Sequence, residues 1–176
     1  LAAMPPANDA LANPAVVAVD GPGASGKTTV GLGLARRLNC RFIDTGVMYR
    51  AITWLALQQG ISIDDAAALG ALAEANPVSL PDSLEPETRE HEGSSQVRVA
   101  GHIVGPELRD SQVTGNVSLV SRISQVRTAL VKQQRDIGDQ GDIIMVGRED
   151  SVPPAEKENA KELAREWIPE LAQAGL

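Results

Sequence analysis

The residues best suited to chemistry form one short run, Gly21-Pro22-Gly23-Ala24-Ser25-Gly26-Lys27-Thr28. The run matches the pattern G-x-x-x-x-G-K-[ST] and stands between an apolar segment, Val16-Val17-Ala18-Val19, and a helix expected from Val30 to Leu38. Glycines let the backbone curl so that successive N–H groups point into one concavity. The N-terminus of the following helix adds partial positive charge to the same place. Such a cradle suits a polyphosphate. Lys27 would reach its β- and γ-phosphates, and the Thr28 hydroxyl would ligate Mg²⁺. The bland alternative is a glycine-rich turn with no ligand, and the strand and helix on either side argue against it.

These residues need elements to hold them. Residues 15–20 read as a buried parallel strand ending where the loop begins. Val30, Leu34 and Leu38 recur at helical spacing and predict the face that packs on the sheet; Asn39 suits the helix end. Arg41-Phe42-Ile43-Asp44 reads as a second strand, and after Thr45-Gly46 a helix carries Met48, Ile52, Leu55 and Ala56 on one face and stops at Gly60. Asp64 could cap a short alanine-rich helix ending before Pro77. Residues 77–95 have the composition of a surface excursion, and Val97 to Ile103, around Ala100-Gly101, suggest a hairpin. Helical spacing returns at Val113, Val117 and Val120. Ser124 fits an N-cap for a further helix, with Val126, Ala129, Leu130 and Ile137 inward and Gly138 and Gly141 closing it. Ile143-Ile144-Met145-Val146 is a third strand. Three strands alternating with helices imply a doubly wound α/β fold, with ligands at the strand carboxyl ends, where Asp20-Gly21, Asp44-Thr45 and Gly147-Arg148 lie. Residues 62–110 read as an insertion between core elements.

Bulk properties narrow the class. At 176 residues, with 43% hydrophobic and 22% charged residues, the chain can form one globular α/β domain. Only 2% are aromatic, so the core must be built from Ala, Val, Leu and Ile. A net charge of −7 argues against a general nucleic-acid or membrane-surface binder. The single cysteine, Cys40, forms no internal disulfide, which fits a cytoplasmic protein, and it reads as a buried thiol at a strand start. No apolar run approaches membrane-spanning length. Residues 1–14, rich in Ala, Pro and Asn, are expected to be a disordered leader without secretory features.

A second motif selects among the users of a phosphate loop. Asp44-Thr45-Gly46-Val47-Met48-Tyr49-Arg50 follows the second strand, where adjacent Tyr and Arg can hold a flat base and a phosphate. Equally, Tyr49 could pack in the core and Arg50 could be a solvated helix residue. Five ordered segments then become specific: V-A-V-D-G-P-G-A-S-G-K-T-T, D-T-G-V-M-Y-R-A-I-T-W-L-A-L, G-P-E-L-R-D-S-Q-V, V-S-L-V-S-R-I-S-Q-V-R-T-A-L and V-G-R. Together, over about residues 15–148, they resemble a bacterial-type cytidylate kinase. The resemblance implies a P-loop nucleoside-monophosphate-kinase-like parallel sheet, with residues 62–110 as the monophosphate-binding insertion. It implies transfer of the ATP γ-phosphate to CMP or dCMP, with ATP and Mg²⁺ as cofactors; a monomer with no nucleic-acid or membrane partner is expected.

Site roles follow the motifs. Gly21, Pro22, Gly23, Ala24, Ser25, Gly26, Lys27, Thr28 and Thr29 resemble the ATP loop. Asp44 and Thr45 stand on the monophosphate side, and Tyr49 and Arg50 match the nucleotide-contacting tyrosine and the phosphate-binding arginine. Ser118 matches a serine that reads cytosine, and Arg127 a base- or phosphate-contacting arginine. Arg148 matches the catalytic arginine that begins the family's G-R-D motif. This sequence departs from the pattern there, continuing with Glu149-Asp150, so the expected carboxylate is either replaced by Glu149 or displaced to Asp150. Residues 151–176 match nothing in the family; they read as an amphipathic helix with Ala160, Leu163, Ala164, Trp167 and Leu171 on one face and a solvated Lys157, Lys161, Arg165 stripe. The sheet is thus expected to be truncated. Without the arginines of a lid, a catalytically weak nucleotide-binding module is the alternative function.

Overall fold

A computed structural model describes residues 16–20, 26–38, 40–79 and 96–147. The expectations for residues 1–14 and 151–176 lie outside these. The described residues form two compact units. One comprises the described residues through Phe42 together with those from Asp142, the other Ile43–Gly141.

The first unit is built on a sheet of order β1-β5-β2, with β1 Val16–Val19, β2 Arg41–Asp44 and β5 Ile143–Val146. β1 and β5 run parallel, from Val16 opposite Ile143 to Val19 opposite Val146. The Gly147 N–H donates to the Val19 carbonyl at 3.1 Å, and the Arg41 N–H to the Asp142 carbonyl at 2.8 Å. β5 is buried along its whole length, which is why it reads as an unbroken apolar run rather than an alternating one. β2 carries the chain on into the second unit.

Helix α1, Lys27–Leu38, packs against β5. Its buried residues are Gly31 and Ala35, whereas Val30, Leu34 and Leu38 are half-buried. The inward stripe is therefore one residue away from the face that the large side chains suggest. The reason is space: a Cβ at Gly31 would lie 2.5 Å from Val146 Cγ2 and 2.9 Å from Phe42 Cε2. Small residues occupy the line of closest approach, and larger ones flank it. Gly31→Ala should gain about 1 kcal/mol of helix propensity yet lose about 1–3 kcal/mol to overpacking against short, stiff neighbours. We expect net destabilisation, read as a lower urea midpoint. Gly33→Ala, where a Cβ meets nothing within 4 Å, should raise it.

The second unit is mostly helical. Helix α2, Thr45–Gln58, buries Met48, Ile52, Leu55 and Ala56, as its spacing predicts. Helix α3 runs Ala66–Ala75. Its cap is Asp65, not Asp64: the Asp65 carboxylate accepts the Ala68 N–H at 2.9 Å, and Asn76 closes the other end through Nδ2 to the Leu72 carbonyl at 2.9 Å. Val78 departs from the expected surface excursion, whereas Ser79 is exposed. Val78 is buried, and Ser79 exchanges backbone bonds with Arg98 at 3.0 and 2.8 Å; residues 80–95 lie outside the description. The expected hairpin is present as β3 Val97–Val99 and β4 His102–Val104, turning through Ala100 and Gly101 at positive φ. His102 meets Trp54 of α2 edge to face, with centroids 5.8 Å apart.

A 3₁₀ turn, Pro106–Arg109, leads into α4, Ser111–Val120, which Asp110 caps by accepting the Gln112 N–H at 2.8 Å. Helix α5, Ser124–Gly138, is entered through Ile123, whose φ of −72° and ψ of 119° place Ser124 already inside the helix; the expected serine cap is not formed. Val126, Leu130 and Ile137 are buried, Ala129 is half-buried, and Gln134 shares the inward face. α5 packs on α3, and Gln133 ties the pair: its Nε2 donates to the Ala73 carbonyl at 3.0 Å while its Oε1 accepts the Val78 N–H at 3.0 Å. The elements of residues 62–110 thus share one unit with α2, α4 and α5.

Candidate functional site

On the first unit, the candidate loop runs from the end of β1 into α1. Its residues Gly21, Pro22, Gly23, Ala24 and Ser25 lie outside the described residues. Its last glycine does not: Gly26 has φ +78°, with nothing within 4 Å of a Cβ placed there. The glycine is required by the backbone conformation and not by crowding. The Gly26 carbonyl accepts the Val30 N–H at 3.0 Å, the first bond of α1. Lys27 and Thr28 are therefore the first two residues of a twelve-residue helix, with Thr29 exposed beside them. Lysine and hydroxyl stand at a helix N-terminus, where the macrodipole favours an anion. Asp20 and Gly147, after β1 and β5, share the carboxyl edge of that strand pair. Arg148, Glu149 and Asp150 follow outside the described residues.

Cys40, also on this unit, is half-buried, and its Sγ lies 3.6 Å from the Leu38 carbonyl. Burial, and then the Asp142 carboxylate, push its thiol up, which keeps it protonated and a poor nucleophile.

On the second unit, the candidate residues line the start of α2. Asp44 is its N-cap, accepting the Gly46 N–H at 2.9 Å, and Thr45, the first helical residue, is 3% exposed. Tyr49, on α2, is buried at 7% exposed. Arg50 is not a solvated helix residue. Its Nη1 donates to the Leu108 carbonyl and to Thr114 Oγ1, each at 2.9 Å, so one guanidinium edge joins α2, the 3₁₀ turn and α4. The turn is braced locally: Leu108 is buried, and Glu107 Oε2 accepts the Gly105 N–H at 3.0 Å. That bond and a second to its own N–H hold the Glu107 carboxyl below its ordinary range. The structure thus brings together two of the expected motifs, D-T-G-V-M-Y-R and G-P-E-L-R-D-S-Q-V, through Arg50.

Ser118 is exposed on α4, its carbonyl accepting from Ser121 Oγ at 3.1 Å. Arg127 lies on α5 beside a groove of about 570 Å³ that it lines with Ser124, Thr128, Lys132 and Arg135 and with the carboxylates Asp136 and Asp139. Neither Arg50 nor Ser118 is among its described lining residues. Thr114 is the residue that sequence reasoning missed. The available signal was its place one turn into α4, four residues after the Asp110 cap.

Among the described residues no group of three or more His, Cys, Asp or Glu side chains could hold a metal ion, and no helix is long and apolar enough to cross a membrane. Comparison with known proteins gives a match to the family model for cytidylate kinase over residues 17–152. The chain is 38% identical over 133 residues to the cytidylate kinase of Bacillus licheniformis, an overlap covering 76% of this chain and 56% of that protein. It is 43% identical over 134 residues to the cytidylate kinase of Streptococcus agalactiae, with the same coverage of 76% and 56%. It is also 43% identical over 134 residues to the bifunctional pantoate ligase/cytidylate kinase of Parasynechococcus marenigrum, covering 76% of this chain and 25% of that protein. The chain spans about half the length, 56%, of the single-function relatives named here.

Proposed function

Since this chain belongs to the cytidylate kinase family, we propose that it transfers the γ-phosphate of ATP to CMP or dCMP, giving ADP and CDP or dCDP. The fold is that of the P-loop nucleoside-monophosphate kinases. The observation that carries the activity is the single match over residues 17–152, which takes in both the Gly26-Lys27-Thr28 helix start and the Arg50 cluster.

On this reading, residues 21–29 hold the donor phosphates and Lys27 neutralises charge on the transferring group. Arg50 grips the acceptor phosphate, a task for which a planar fork of donors is suited. Asp44, Thr45 and Tyr49 shape the acceptor pocket, Ser118 reads the base, Arg127 contacts the base or the phosphate, and Arg148 with Glu149 or Asp150 completes the catalytic edge. The acceptor atom is already an anionic oxygen, so positioning and charge neutralisation suffice and no strong general base is needed. The residues present fit Mg²⁺: with no acidic cluster among the described residues, the cation would be held by the Thr28 hydroxyl and the nucleotide's own phosphates, the habit of this hard ion. When bound, it neutralises charge on the β- and γ-oxygens. Residues 62–110 serve as the monophosphate-binding insertion, and the enzyme acts as a cytoplasmic monomer.

The test is a coupled assay for ADP release with ATP, Mg²⁺ and a panel of nucleoside monophosphates. Release stimulated by CMP and dCMP well above the other acceptors is the expected result. No CMP-dependent release from a chain shown to be folded by circular dichroism would overturn the reading. In that event, calorimetric binding of ATP or CMP would identify a nucleotide-binding module instead.

A further inference from the structure

We propose that Thr114 is a positioning residue for the acceptor phosphate: its hydroxyl sets the plane of the Arg50 guanidinium. The inference rests on the reading of Arg50 as the arginine that grips a nucleoside monophosphate.

A guanidinium carries five N–H donors in one plane, two of them on Nη1. Here those two are directed to the Leu108 carbonyl and to Thr114 Oγ1, both at 2.9 Å. Two bonds from one nitrogen to acceptors on two different elements hold the plane against turning. They also leave Nε and Nη2 as the parallel edge that can meet two oxygens of one phosphate. The acceptors differ in kind. The Leu108 carbonyl belongs to the backbone of a turn whose side chain is buried, so it is immobile. The Thr114 hydroxyl is a rotor, and it is aimed by its own contact with the Arg109 carbonyl at 3.4 Å, with its lone pairs left toward Arg50. The Thr114 N–H is bonded to the Asp110 carbonyl at 2.9 Å within α4, so the side chain rises from a capped, regular turn. With Thr114 removed, Nη1 keeps one bond and the guanidinium can pivot about it, so the gripping edge no longer arrives in register. The effect falls on the phosphate, which CMP and dCMP share, and not on the base.

The experiment uses the full chain as wild type, Thr114→Val, Thr114→Ala and Thr114→Ser. CMP binding is measured by calorimetry, and KM for CMP and for ATP by the coupled assay. Thr114→Val and Thr114→Ala should weaken CMP binding and raise its KM about tenfold, the worth of one hydrogen bond to a charged group, with KM for ATP unchanged. Thr114→Ser, which keeps the hydroxyl, should stay within about twofold of wild type. Thr114 is exposed, so its replacement leaves the core intact, and the alanine variant serves if the branched valine disturbs α4. CMP binding unchanged in both apolar variants overturns the inference. So does an equal loss for CMP and ATP, or a serine variant as poor as the valine one. Wild-type protein that binds no CMP defeats the kinase reading itself, and this inference with it. Wild type that binds CMP beside an unaffected Thr114→Val defeats only the positioning role.

Discussion

Lys27→Met is expected to cut phosphoryl transfer about 10²–10³-fold while leaving the protein folded. Lys27 opens α1 directly after Gly26, whose φ of +78° turns the chain out of the loop. A cation there is not what a helix prefers, since the macrodipole disfavours positive charge at an N-terminus by about 0.3–1 kcal/mol. Its presence therefore needs a reason other than helix stability, and a polyphosphate supplies one. Methionine keeps the unbranched stem and nearly the same helix propensity. Lys27 is half-buried and has an interaction within the protein, so stability should fall by on the order of 1 kcal/mol, a usual cost of one substitution. The rate should fall far more: removing one preorganised group that meets charge developing in the transition state costs about 10²–10³-fold in kcat. The KM for CMP should move little, because Arg50 and its partners Leu108 and Thr114 are untouched. Turnover within about tenfold of wild type, in a variant that remains folded, would remove the phosphate loop from the catalytic account.

How much of this was legible in the sequence depends on what carries the signal. β5 was readable to the residue, because a buried parallel strand is a run of apolar residues with abrupt ends, and β2 because its apolar pair Phe42-Ile43 is bounded by charged Arg41 and Asp44. The α2 core face was readable because Met48, Ile52, Leu55 and Ala56 are large or regularly spaced enough to show helical periodicity. The α1 face was misread by one residue, since Gly31 and Ala35 are buried for their smallness and hydrophobicity does not mark small residues. Caps were ambiguous where candidates adjoin. Asp64 and Asp65 have the same chemistry, and only backbone geometry selects Asp65. For the site, the residue types at positions 26–28 and 49–50 were plain, and the sequence left open whether Arg50 was solvated. Its bonds to Leu108 and Thr114 cross 58 and 64 positions of chain, and one acceptor is a backbone carbonyl. A carbonyl has no side-chain signature, so no motif announces it. The same holds for Gln133, which reads as one more polar position on α5 until its amide is found spanning Ala73 and Val78.

Arg50→Met should separate the two halves of the reaction in the opposite sense. Binding of CMP should weaken about 10²-fold or more, the value of losing two charge-assisted bonds to phosphate, while ATP binding, which the phosphate loop would provide, stays near wild type. The structural cost is smaller. The Leu108 carbonyl and Thr114 Oγ1 lose their donor, but Thr114 is exposed and Arg50 itself only half-buried, so water can replace the guanidinium. About 0.5–1.5 kcal/mol of stability should go with it, enough to detect and too little to unfold a typical domain. Arg50→Lys should resemble the methionine variant rather than wild type, since an ammonium keeps the charge but cannot hold Leu108 and Thr114 with one edge while presenting another to a phosphate. A lysine variant with a wild-type KM for CMP would mean that charge alone is used and that the geometry of the cluster is incidental. The decisive comparison is the double variant Arg50→Met, Thr114→Val. If Thr114 acts only by orienting Arg50, its loss should add nothing to the CMP defect once the arginine is gone, whereas two independent contributions would multiply.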